Sequence, residues 1–83
     1  MEVPFTQTEH RIIHLTRDGK GHSPADMMAC LNNPAADRMD LANAVRALRA
    51  KLLLVDQDII AQSFGKRIEY RRMRLLLPSK TGT

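Results

Sequence analysis

The chain has 83 residues, is 43% hydrophobic and carries a formal net charge of +4 at pH 7, so it forms one domain near the size where a core only just suffices. Its single Cys, absent Trp, one Tyr and two Phe exclude an internal disulfide, a cysteine-rich metal site and an aromatic core. Residues 1–37 hold three basic and five acidic side chains, a net of −2, whereas residues 38–83 hold ten and four, a net of +6; that polarity is what polyanion binding requires, although a solvated basic surface would produce it too.

Thr6-Gln-Thr-Glu9 has the spacing of a capping box, a hydroxyl at the cap and a carboxylate three residues on. Ile12, Ile13 and Leu15 then give an apolar face to a first helix over residues 7–17, which Asp18-Gly-Lys-Gly21 ends. Ser23-Pro24 restarts the chain as N-cap and first helical position, with Asp26 near the positive helix end. Met27, Met28, Cys30 and Leu31 continue this short helix until Asn32-Asn-Pro34 breaks it.

The third helix is predicted over residues 38–54, starting near Asp37 or Asp40. Leu41, Val45, Leu48 and Leu52 form one stripe, while Asn43, Arg46, Ala47 and Ala50 fall on the opposite side with Arg49 and Lys51 on the flanks. Asp56-Gln-Asp58 marks a turn. Ile59, Ile60, Phe64, Ile68 and Tyr70 favour strands on either side of Gly65-Lys66, so residues 59–76 are predicted as a basic β-hairpin; helix over residues 66–77 is the alternative. The predicted core is Ile12, Ile13, Leu15, Met28, Leu31, Leu41, Val45, Leu48, Leu52, Ile59, Ile68 and Tyr70, with Met27 and Met39 as further core filling. The domain is taken as residues 1–77 and residues 78–83 as a flexible tail.

The order helix, helix, long helix, hairpin resembles a known family. Thr6-Gln-Thr-Glu9-x-x-Ile-Ile13 resembles the opening of the OmpR/PhoB-type winged-helix effector domain. Leu41-x-x-x-Val-Arg-Ala-Leu-Arg-Ala-Lys-Leu52 resembles its recognition helix, and Phe64-Gly-Lys-Arg-Ile-Glu-Tyr-Arg-Arg-Met-Arg-Leu-Leu76 its wing and last strand. The similarity spans about residues 5–76 and is closest to small stand-alone winged-helix proteins of phages and prophages. It implies a mainly α (α+β) winged helix-turn-helix, three helices plus a C-terminal wing. There are departures. No phospho-receiver domain accompanies it, and only residues 3–5 remain as a possible strand of the family's N-terminal sheet. His10 stands where a large apolar residue is usual, and Ala47 and Ala50 where basic residues are common.

Arg46 and Arg49 are the best candidate readers, since arginine binds guanine bidentately, and Asn43 could do the same for adenine. Ala47 would let the helix backbone approach a groove closely, and Lys51 adds charge on its flank. Arg38 could clamp a phosphate or pair with Asp40. Lys66 and Arg67 at the hairpin tip could enter a minor groove or grip backbone, with Arg71 on the same strand face as Arg67. The plainer readings are a solvated helix face and an edge strand protected from aggregation by its charges. Arg72 and Arg74 are expected to lay their stems over the core.

His10 and His14 share a helix face, but His22 and Cys30 make no second tight ligand pair, so no metal or other cofactor is expected. No nucleophile–base constellation or phosphate loop is present, and catalysis is not expected. Met1-Glu-Val-Pro lacks the start of a signal peptide and no apolar run approaches the ~20 residues of a membrane span, so a cytoplasmic, nucleoid-associated protein without a membrane partner is expected. The functional expectation is a sequence-specific transcriptional regulator whose partner is double-stranded DNA, acting as a monomer or homodimer. The alternative is a small protein-interaction module, an inhibitor or adaptor, binding RNA polymerase or another regulator on the same scaffold.

Overall fold

The computed structural model describes residues 3–75. Helix α1 (Gln7–Leu15) begins at the predicted capping box: the Thr6 hydroxyl accepts from the Glu9 N–H and the Glu9 carboxylate accepts from the Thr6 N–H. A 3-10 turn, Thr16–Asp18, replaces the last predicted turn of α1 and closes at Gly19 with φ +72, a left-handed value suited to glycine. Helix α2 (Pro24–Ala29) starts where Ser23-Pro24 places it, the serine hydroxyl accepting from the Asp26 N–H.

Helix α3 (Arg38–Leu52) has a second capping box, in which the Asp37 and Asp40 carboxylates each accept the other's backbone N–H. Asp40 thereby caps the helix rather than pairing with Arg38. Asp37→Ala is expected to cost about 1 kcal/mol, read as a lowered thermal midpoint with the fold retained. A 3-10 turn, Leu53–Val55, takes the place of the predicted final residues of α3 and ends at Asp56 in the left-handed region (φ 60).

Strands β1 (Gln57–Phe64) and β2 (Arg67–Arg74) form the antiparallel hairpin, with Gln57 opposite Arg74 and Phe64 opposite Arg67. Strand rather than helix therefore holds over residues 67–74, and the hairpin begins two residues earlier than expected; residues 76 and 77 lie outside the described residues. Gly65, at φ +66, makes the two-residue turn possible. Residues 3–6 carry no strand. His22 instead supplies a minimal third partner, exchanging both backbone hydrogen bonds with Tyr70 at 2.8 Å and tying the α1–α2 connection to β2. The architecture is α+β, three helices against a two-stranded hairpin.

Ile12, Met27, Cys30, Leu41, Leu48, Leu52 and Ile59 form the buried core, with Ile13, Leu15, Met28, Leu31, Val45 and Tyr70 packed half-buried against it. Three expectations are corrected here. Met27 rather than Met28 occupies the centre, because a six-residue helix is too short for periodicity to choose between neighbours. Met39 is 64% exposed, standing about 200° round α3 from Leu41. Ile68 is 40% exposed: alternation puts it on the core-facing side with Tyr70, but the hairpin has by then run past the edge of the core. The expected tail at residues 78–83 lies outside the described residues.

Candidate nucleic-acid interface

Every residue from 61 to 68 is exposed, so the distal half of the hairpin stands off the body. Alongside α3 lie two grooves, both lined by Tyr70 of β2 and here termed the trough. The larger, about 870 Å³, is bounded by Arg38 at the start of α3, by Lys66, Arg67 and Ile68 at the hairpin tip, and by Pro24 and Met28 of α2. The smaller, about 490 Å³, is bounded by Ala42, Val45, Arg46, Arg49, Ala50 and Leu53 along α3. Among the described residues the only carboxylate lining either groove is Asp37, which is committed to capping α3.

Five of the nine residues singled out in the sequence thus meet along one surface: Arg38, Arg46, Arg49, Lys66 and Arg67. Among the described residues no carboxylate pairs with Arg38, Arg46 or Lys66, so their charges are unspent. Asn43 and Ala47 are exposed on the outward side of α3 beside the trough.

The other cations are differently employed. Arg49 forms a bidentate pair with Asp58 of β1, Nε to Oδ1 at 2.8 Å and a terminal nitrogen to Oδ2 at 3.0 Å. Those hydrogen bonds hold the Asp58 carboxyl below the usual aspartate range, burial opposing and the Ile59 N–H and the Arg49 charge assisting. Arg49 therefore braces α3 against β1 at the trough's edge. Arg67 lies over the Phe64 ring, 5.5 Å from its centroid, and its Nε is 3.3 Å from Glu69. Lys51 is not at the trough: its Nζ reaches back to α1 and donates to the buried Glu9 carboxylate at 2.6 Å. Arg71 is half-buried opposite Ile60, and its Nε is enclosed without a hydrogen-bond partner.

Two roles escaped sequence reasoning. Arg72 turns inward to α1, donating to Thr16 Oγ1 (3.1 Å), the Ile13 carbonyl (3.2 Å) and Gln57 Oε1 (2.6 Å). Strand alternation, which puts Arg72 beside Tyr70 on the core-facing side, was the available signal. Tyr70 was expected in the core, where it packs half-buried, and alternation could not show that it would also line both grooves. The histidines of the sequence reading are dispersed, His10 edge-on to Phe5, His14 exposed and His22 bonded to Asp18, while Cys30 is buried. Among the described residues no helix is long and apolar enough to cross a membrane. Compared with family models, curated proteins and solved structures, the chain matches none.

Proposed function

We propose that the domain is a winged helix-turn-helix that binds double-stranded DNA as a non-enzymatic regulator of transcription, consistent with a place on the nucleoid. The observation that carries this reading is the trough between α3 and the hairpin, bordered by Arg38, Arg46, Lys66 and Arg67 with no carboxylate among the described residues lining it except the capping Asp37. In this reading α3 is the recognition helix. Its outward side, Asn43, Arg46 and Ala47, enters the major groove, and the two alanines at 47 and 50 allow close approach. The hairpin is the wing, and the trough straddles the phosphate strand between the two grooves. Arg46 is the base reader and Arg38, Lys66 and Arg67 are backbone contacts, the division that separates specificity from positioning.

Duplex affinity measured by fluorescence anisotropy tests the reading. About four neutralised phosphates predict that non-specific affinity falls by about 10²-fold between roughly 50 and 200 mM salt. Arg46→Ala is expected to relax sequence preference, losing about 1–3 kcal/mol of discrimination at one position. Lys66→Ala is expected to weaken all sequences alike and reduce the salt slope by about one. Salt-insensitive binding, or affinity unchanged in both variants, would overturn it.

A protein-interaction module is the second reading. It is favoured by the consecutive exposed side chains Leu53, Leu54 and Val55 after α3, at 51%, 61% and 39%, together with exposed Ala47 and Ala50. Recovery from lysate of a defined protein that survives nuclease and the substitution of Arg46, Arg49, Lys66 and Arg67 by alanine would establish this reading instead.

A further inference from the structure

The hairpin tip carries a large aromatic residue where no core exists to bury it. Phe64 is 46% exposed, in a chain with three aromatic residues in all, and it is not among the side chains packed on the core. It closes the two-residue turn directly opposite Arg67, with Gly65 and Lys66 between them. The tip is consequently narrow, one side chain wide on each strand, and two cations stand within three residues of the ring.

An aromatic at an edge-strand tip is an aggregation hazard unless a partner covers it. Among the described residues its ring contact is the Arg67 guanidinium, which is itself 69% exposed and divided between the ring and Glu69. A cation–π contact of this exposed kind gives modest local support and leaves Phe64 46% exposed. What a flat apolar ring flanked by two cations complements is a base step beneath two phosphate strands: the cations meet phosphates and the ring meets the faces of the bases.

We infer that Phe64 is a wedge, which enters the minor groove at the wing tip, inserts partway between adjacent base pairs and kinks the duplex. The inference rests on the DNA-binding reading above and adds to it a mode of action, distortion of the target. As the ring leaves Arg67 for the bases, the guanidinium is released to a phosphate, so the two contacts exchange rather than compete. Unstacking is least costly at pyrimidine–purine steps, and the tip therefore selects TA and CA steps by their deformability without reading base edges. Wedges of this kind bend DNA by about 20–90° towards the major groove.

The test uses the intact chain and a duplex of about 30 base pairs containing a central TA step, end-labelled for energy transfer, with 2-aminopurine at the step in a second copy; the bend expected is tens of degrees. Wild type is expected to shorten the end-to-end distance and raise 2-aminopurine fluorescence. Phe64→Ala is expected to bind a straight duplex about tenfold more weakly. Phe64→Leu, which keeps an apolar wedge, retains most of the bend. Both variants are expected to melt within a few degrees of wild type, because Phe64 lies outside the core. Wild type bound to a straight duplex with unchanged 2-aminopurine signal, or Phe64→Ala bending as wild type does, overturns the wedge and leaves DNA binding standing. Absence of binding to any duplex at low salt overturns both.

Discussion

Replacing Lys51 by methionine is expected to destabilise the fold by about 2–3 kcal/mol, because it strands a buried carboxylate. Glu9 is only 4% exposed and takes two charge-relevant hydrogen bonds, from Lys51 Nζ at 2.6 Å and from the Thr6 N–H at 2.7 Å. The estimate sits below the usual loss for breaking a buried pair, since Thr6 still donates and Lys51 itself is 29% exposed. For a domain of this size the thermal midpoint should drop by about 10–20 °C. The double variant Glu9→Gln/Lys51→Met should recover part of the loss, as removing both charges removes the stranded one. Where the Lys51 variant is folded, the duplex binding proposed above should match wild type, which distinguishes this lysine from Arg46 and Lys66.

The same pair sets a pH dependence. Burial pushes the Glu9 carboxyl up, but the Lys51 hydrogen bond, the Thr6 N–H and the Lys51 charge outweigh it and hold the group below its ordinary value. A depressed folded pKa means the unfolded chain binds the proton first as pH falls. The stabilisation is thus complete above the unfolded value, near pH 4.5, and is lost as pH falls through the lower folded value. Asp58, depressed chiefly by its hydrogen bonds from Arg49, acts in the same direction. Stability measured by urea unfolding should fall between about pH 5 and pH 3, and Glu9→Gln should flatten that limb.

Arg72→Ala is expected to be comparably damaging, at about 2–3 kcal/mol. Its guanidinium fork joins three elements at once: the last turn of α1 through the Ile13 carbonyl, the buried Thr16 hydroxyl and Gln57 at the start of β1. A cation at a helix C-terminus also complements the partial negative charge there. Arg72→Lys should rescue only part, since an ammonium lacks the planar spread to reach all three acceptors. Urea unfolding of both variants checks this, and a lysine variant as stable as wild type would show that charge alone suffices.

Features that depend on residues a few positions apart were legible in the sequence. The capping box of Thr6 with Glu9, the Ser23-Pro24 start, the start of α3 at Asp37 and the Gly65 turn all stand where the chain order puts them. So do the Leu41, Leu48 and Leu52 stripe and the outward side of α3, because helix and strand periods carry each side chain's direction along one element. From the candidate site, Arg46 was legible for that reason, Arg38 from its place at the start of α3, and Lys66 and Arg67 from theirs beside the Gly65 turn. Tertiary structure alone decided how each cation is used. Lys51 and Arg46 differ by five positions on one helix, yet one meets α1 and the other lines the trough, and nothing local names those surroundings. Asp58 claims Arg49 across nine residues, Arg72 reaches α1 across fifty-nine, and His22 finds Tyr70 through backbone pairing that leaves no side-chain signature. Ile68 has the alternation of a core residue but sits where the hairpin has outrun the core, a boundary that exists only once the helices are packed. Short-range geometry is written in residue spacing, whereas the partner of a long charged side chain depends on which elements come within its reach.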